Sequence, residues 1–407
     1  MKKSNSLIIA IMIALALVFT ISNIKADGNE AEIEGVEYAT FKEAINAVQD
    51  GQTIYLLKDC TLEGMTTLEN KKDITLTSKD GTYTLTKERY IYGLVVDNSS
   101  LTIDNVIFAG ITQDYNYALI DINKNSKVTI TNTTIKDNKA TTSKYNVTGG
   151  GIDVSYSELV LSEGALVTNN QTYSHGGGIY ASNSDVILEK GATVSGNTTF
   201  NETASAGGGM YISHSTLTIN DGHIDNNFSA RSGGGLWAGM GSTVTFNSGT
   251  INGNTLTNSS RKKSTGGGVT MMASPSSTND EYNHFYFNGG EISNNTSNED
   301  GGGAYIAATE FIMGNDAKIS NNYATRFGGG MAVYLGAVVT IKDDALISNN
   351  NAGTGGGILV ANAEDGNSYH SILNTYGTVL IEGGSIENNT ARLSGGGLAL
   401  AGTSSKS

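Results

Sequence analysis

Ile319-Ser320-Asn321-Asn322, followed by Gly328-Gly329-Gly330-Met331, is the passage whose reading decides the fold. Gly-Gly-Gly plus an apolar residue begins nine times, at Gly149, Gly176, Gly207, Gly233, Gly266, Gly301, Gly328, Gly355 and Gly395. Three of the eight intervals are 27 residues, one is 26, and the other four are 27 plus an insertion. Self-similarity at such a period means stacked copies of one unit, each covering the apolar side of the next.

Each unit contains three runs in which apolar and polar residues alternate, the mark of a strand with one side inward. Directly after the glycines the inward pairs run from Ile152/Val154 and Ile179/Ala181 to Leu398/Leu400. The second run gives Leu159/Leu161 through Val379/Ile381, and the third pairs a small residue with an aliphatic one, Ala165/Val167 through Gly384/Ile386. Three strands per turn of about 27 residues predict an all-β parallel β-helix. Three residues past the last aliphatic position stands Asn170, Asn197, Asn227, Asn254, Asn295, Asn322, Asn350 or Asn389, and Asn138 fits the slot one coil earlier. These are expected to be structural: asparagine tolerates a left-handed bend, and its amide can bond like amides above and below.

The pairing of Ile/Val-x-x-Asn with Gly-Gly-x-Ile/Leu/Val over residues 135 to 400 resembles the repeat of bacterial polymorphic outer membrane proteins, which are β-helical surface adhesins. The opening segment, Tyr38-Ala39-Thr40-Phe41 through Leu57-Lys58-Asp59, is similar to the start of pectate-lyase-like surface proteins of Gram-positive bacteria. The resemblance implies a right-handed β-helix and an adhesin-like role. Two features depart from it: no membrane barrel follows the repeats, and no wall-sorting signal is present.

Before the strict repeats the chain reads differently. Lys2, Lys3 and the uncharged run Leu7 to Ile21, with Ile24-Lys25-Ala26 as a cleavage site, predict a signal peptide over 1–26 and an exported protein. No later segment is expected to span a membrane as a helix. Residues 27–52 read as an N-terminal cap, with Thr40-Phe41-Lys42-Glu43 as a capping box for a short helix that lids the first coil. Residues 53–148 form irregular coils, and 149–407 the regular ones. The repeats run on to a short polar stretch, Gly402 to Ser407, the only candidate cap, so the expectation is either a truncated product or end-to-end self-association through the last coil.

A formal charge of −14 argues against nucleic-acid partners, whose phosphates require clustered Lys and Arg. The single Cys60 excludes an internal disulfide framework and a thiolate metal cluster. Polysaccharide-cleaving enzymes on this fold need carboxylates from adjacent coils. No acid is seen to recur at one outward position in neighbouring coils, and Asp153 is the only one at the outward position of the first strand. No catalytic residue and no cofactor is therefore assigned. Asp221, His223 and Asp225 alternate onto one side and could hold a divalent ion, or be ordinary solvated residues.

The middle residue of the first strand should face solvent, and reads Tyr180, Tyr211, Trp237, Thr270, Tyr305. An exposed aromatic strip could stack on sugars or anchor a protein, or could simply stabilise neighbouring strands. Insertions after Asn138, Asn197 and Asn254, the last containing Arg261-Lys262-Lys263, and others around Met272 to His284 and Ala363 to Gly377, project loops suited to recognition. The sequence thus points to a secreted or cell-surface, adhesin-like, non-enzymatic rod that binds a surface glycan or protein. The rival readings are a polysaccharide lyase or glycoside hydrolase of the same fold, and an ice-binding solenoid. The last would need a regular Thr-x-Thr array that the third strand lacks.

Overall fold

In a computed structural model, residues 28–114, 117–142, 148–256, 265–272, 282–361 and 376–401 are described. Residues 1–26, expected to be a signal peptide, the Arg261-Lys262-Lys263 triplet, residues 273–281 and 362–375, and the polar stretch 402–407 lie outside them. The chain winds into an all-β parallel β-helix of about 27 residues per coil. One side is a 12-stranded parallel sheet of the strands that follow the glycines, from Thr66–Glu69 to Leu398–Ala401. The second and third sides join into one 24-stranded sheet, because Thr216–Asp225 and Thr243–Asn252 each run ten residues through the corner between them. A fourth piece went unseen in the sequence: two-residue strands such as Gln171–Thr172 and Thr198–Thr199, following the asparagines, make a 10-stranded ribbon. Two residues are too few to show an alternation.

The inward residues stack on their equivalents. Val154, Leu159, Leu161 and Val167 are fully buried, as are their counterparts in the coils that follow until the last described one. On the second side the pile becomes aromatic, with Phe246 over Phe287 at 4.9 Å and 6°, and Phe285 over Phe311 at 4.9 Å. At the N-terminal end a helix, α1 (Phe41–Ala47), buries Phe41, Ala44 and Ile45 over the first coil, with Thr40 accepting the Glu43 N–H at 3.2 Å. A hairpin of Ala31–Ile33 and Val36–Tyr38 closes that end further by pairing antiparallel with Thr53–Leu56. Together they cover the open strand edge that a parallel stack otherwise presents. In the last described coil Leu393 and Leu400 are 74% and 76% exposed.

Two polar ladders run up the interior of this apolar tube. From Asn170 to Asn389 each carboxamide Nδ2 donates to the Oδ1 of the asparagine one coil on, at 2.9 to 3.1 Å. That same Oδ1 also accepts the backbone N–H of the preceding asparagine, as Asn227 does from Asn197 at 2.9 Å. The other Nδ2 proton serves a backbone carbonyl of the coil before, Val194 in the case of Asn227. The left-handed bend expected at these asparagines belongs instead to the residue before each: Asn169, Gly196, Asn226, Gly253, Asn294, Asn321, Asn349 and Asn388 have φ between 54° and 67°. The bend turns the chain, which leaves the next side chain pointing inward.

The glycine triplet is shaped by this ladder, and its three members are needed for different reasons. Gly176 has φ +65°, and Gly177 lies where a Cβ would meet the Gly208 carbonyl oxygen at 2.2 Å. A Cβ on Gly178 would press within 2.9 Å of the Asn197 carboxamide nitrogen. The second ladder, which carries no signal as plain as the glycines, is hydroxylic. Ser99, Ser126, Ser157, Ser184 and Ser215 each donate their N–H to the Oγ of the serine one coil on, at 3.0 to 3.2 Å, ending at Ser242. It fills the corner between the first and second sides.

Lys87 completes the interior at the coil that lacks a ladder asparagine. Its buried ammonium donates to the Tyr117 and Ile91 carbonyls, at 2.7 and 3.1 Å, and burial lowers its pKa to about 7. Asn138 donates to the same Tyr117 carbonyl at 2.8 Å, so amine and amide share the acceptor.

Truncating a ladder asparagine strands several buried groups at once. For Asn227→Ala we expect a loss of ~3 kcal/mol or more, because the Asn197 N–H, the Asn197 amide and the Val194 carbonyl lose a partner together. Urea unfolding with hydrogen exchange checks this: protection should fall most in the coils on either side.

Candidate functional site

The strands after the glycines bring one outward row into register: Asp121, Asp153, Tyr180, Tyr211, Trp237, Thr270, Tyr305, Ala332, Leu359. The exposed aromatic strip expected here is corrected by the structure. Tyr211, Trp237 and Tyr305 are only 7%, 7% and 6% exposed, and Tyr180 is half-buried. Tyr180 lies on Tyr211 at 5.2 Å and 5°, and Tyr211 on Trp237 at 4.2 Å and 3°. His175 stacks on Tyr211 as well, at 4.6 Å. Tyr211 thus has both faces covered by rings, and Trp237 is buried, so these rings act as packing residues rather than as an open strip. The neighbouring row is small, Ser182, Ser213 and Gly239, which lets the rings fold down. A Cβ on Gly239 would come within 2.6 Å of Trp237 Cη2. Tyr305 stacks separately on Tyr334, whose hydroxyl donates to Asp300 at 3.1 Å.

The metal candidate is corrected too. Asp221, His223 and Asp225 do alternate with the buried Gly222 and Ile224, but Asp221 sits in the corner with φ +66°. His223 Nδ1 lies 2.8 Å from the Thr250 hydroxyl, and that hydroxyl also contacts both Asp225 oxygens, at 2.9 and 3.1 Å. Among the described residues no group of three His, Cys, Asp or Glu side chains could hold a metal ion.

The same row holds a pair that the sequence reading missed. Asp121 and Asp153 are register partners on adjacent coils. The Ile120–Asn123 strand precedes the first glycine triplet, so no repeat marker announced it. Burial, with Asp97 nearby, pushes the Asp121 carboxyl up to about 6. Burial, with Asp121 beside it, pushes Asp153 up to about 7, against a Thr148 hydroxyl that donates to it at 2.8 Å. The rings of Tyr92 and Tyr117, 4.3 Å apart and tilted by 30°, precede the Leu94–Asp97 and Ile120–Asn123 strands.

A different concavity lies outside the corner between the first and second sides. It is an open groove of about 540 Å³, parallel to the rod axis, over the serine ladder. One rim is the set of left-handed corner residues, Asn125, Tyr156, Asn183, His214 and Gly241. The other is the first outward position of the second side: Lys127, Glu158, Asp185, Thr216 and Thr243. Lys127 pairs with Glu158 at 2.7 Å, and the Thr216 hydroxyl donates to Asp185 at 2.6 Å. Of the projecting loops, the one after Asn197 is described and is folded on itself, with Asn201 Oδ1 accepting from the Thr203 N–H and hydroxyl.

The fold is thus a parallel β-helix with a polar groove along one corner. Residues 19–276 match the family model of the right-handed β-helix region, and the chain belongs to that family. It matches no curated protein and no solved structure. Among the described residues no helix is long and apolar enough to cross a membrane.

Two outcomes follow from these rows. As pH rises, the folded chain keeps the protons of Asp121 and Asp153 up to about 6 and about 7, whereas the unfolded chain loses them at ~4. Their contribution to stability is therefore largest below pH ~4 and falls as pH rises through about 6 to 7. Asp153→Asn should flatten that fall, measured as the urea midpoint against pH. Trp237→Ala should cost ~3 kcal/mol or more in the same assay, as a packing residue does.

Proposed function

We propose that this protein is an adhesin-like binding rod, exported to the cell surface or the medium, that recognises its ligand in the corner groove and performs no chemistry there. The observation that carries the reading is the groove itself, which crosses five successive coils and is lined by polar side chains on two parallel rims. Rigid coils hold the rims at fixed spacing, so an extended ligand meets them with little ordering cost. Export rests on the leader-like residues 1–26, and the adhesin-like character on the resemblance of the repeats.

Incubating the intact chain with an immobilised panel of glycans and matrix proteins should reveal binding that Thr216→Arg abolishes. Thr216 is exposed on the groove rim, and the longer side chain can pair with Asp185 while filling the space. Binding that survives Thr216→Arg would place the ligand elsewhere.

A second reading, glycoside hydrolysis, is favoured by Asp121 and Asp153. Register partners lie at the ~4.8 Å strand spacing, close to the separation that suits an acid and a nucleophile in a retaining enzyme. Burial raises both carboxyls, to about 6 and about 7, so a proton is held to higher pH than on an ordinary carboxylate. Release of reducing ends from neutral or acidic glycans, abolished by Asp153→Asn, would establish it. No release from any of them would leave the binding rod alone.

A further inference from the structure

We propose that the groove accepts a linear, electrically neutral polysaccharide lying parallel to the rod axis; this rests on the groove being the binding site. The first observation is the composition of the corner rim. Asn125, Tyr156, Asn183, His214 and Gly241 have φ of 61°, 50°, 50°, 49° and 78°. Glycine and asparagine adopt this conformation at least cost, and three of the five corners use them. At Tyr156 and His214 a ring stands there instead. Tyr156 is 64% exposed, and neither ring stacks on another described ring of the same rim. Nothing in the packing of the coil requires a ring at that corner, since the equivalent position is Asn183 one coil on.

The spacing fits a polymer. Tyr156 and His214 are two coils apart, ~9.6 Å at the strand spacing, with the Asn183 amide between them. A sugar chain likewise presents apolar ring faces and hydroxyl edges in turn along its length, so rings and amides on one rim can serve both. Unlike the buried Tyr211 and Trp237, the Tyr156 ring has a face open to solvent.

Charge sets the class. Lys127 and Glu158 neutralise each other at 2.7 Å, and Asp185 accepts from Thr216. An anionic chain would meet Glu158 and Asp185 on a protein of net charge −14. A polycation would find two carboxylates, one already paired. A peptide added as a strand needs a free sheet edge, and along this corner each strand is bonded to the coil above and the coil below. Uncharged hydroxyls, which donate and accept, match what the rims offer.

The test uses affinity electrophoresis of the full chain in gels containing a neutral β-linked glucan, a neutral N-acetylhexosamine polymer, polygalacturonate or polylysine. Tyr156→Asn keeps a residue suited to the left-handed corner, and Thr216→Arg blocks the groove. A neutral polymer should retard the wild-type chain independently of added salt. Tyr156→Asn should weaken that retardation about tenfold, the loss of roughly one stacked ring, with the thermal midpoint unchanged. Retardation only by polygalacturonate or polylysine, lost on Thr216→Arg, overturns the neutral-polymer inference and keeps the groove. Retardation by a neutral polymer that both variants retain overturns the groove reading as well. No retardation by any of the four overturns the inference.

Discussion

Everything in this rod depends on one constraint: a buried carboxamide in each regular coil must find its acceptor in the next. Asn197, Asn227 and Asn254 sit in the interior, where an unpaired amide is costly. Each is satisfied only if the following coil arrives in register. Aliphatic rows alone would tolerate a slip along the stack, because one valine resembles the next. The amide chain does not. It also dictates the third glycine of the triplet, since any side chain there would collide with the carboxamide.

Satisfying the interior in this way has a consequence for the exterior. With coils locked at the strand spacing, like residues on the outer side are also forced into contact, and large planar ones stack. Tyr180, Tyr211 and Trp237 therefore form a wall of rings that packs on itself. The corner differs, because there the left-handed residues hold their side chains clear of the sheet. Tyr156 and His214 project there because a corner breaks the stacking that buries their counterparts on the flat side.

The row of outward residues changes character along its length, from carboxylates to rings to small aliphatics. Register that stabilises a ring stack is unfavourable for two acids, and burial raises the pKa of both Asp121 and Asp153. The same geometry thus produces packing in one stretch and a proton-holding pair in another. Lys87 shows the converse inside the tube, an amine driven toward neutrality by burial with only carbonyls for company.

The sequence by itself determined the coil, its period, its inward rows and its helical lid, because strand alternation and a repeated Gly-Gly-Gly are local patterns. It also located the ladder asparagines, although not the residues that bend beside them. Only the tertiary structure decided which outward residues touch. Asp121 precedes the repeats and carries no marker of its partnership with Asp153, and the serine ladder is spread over intervals that alternate between 27 and 31 residues. Whether a ring is a platform or a brick is likewise not written in its position along a strand. That depends on what lies one coil above and below, at a separation the chain specifies only after it has wound.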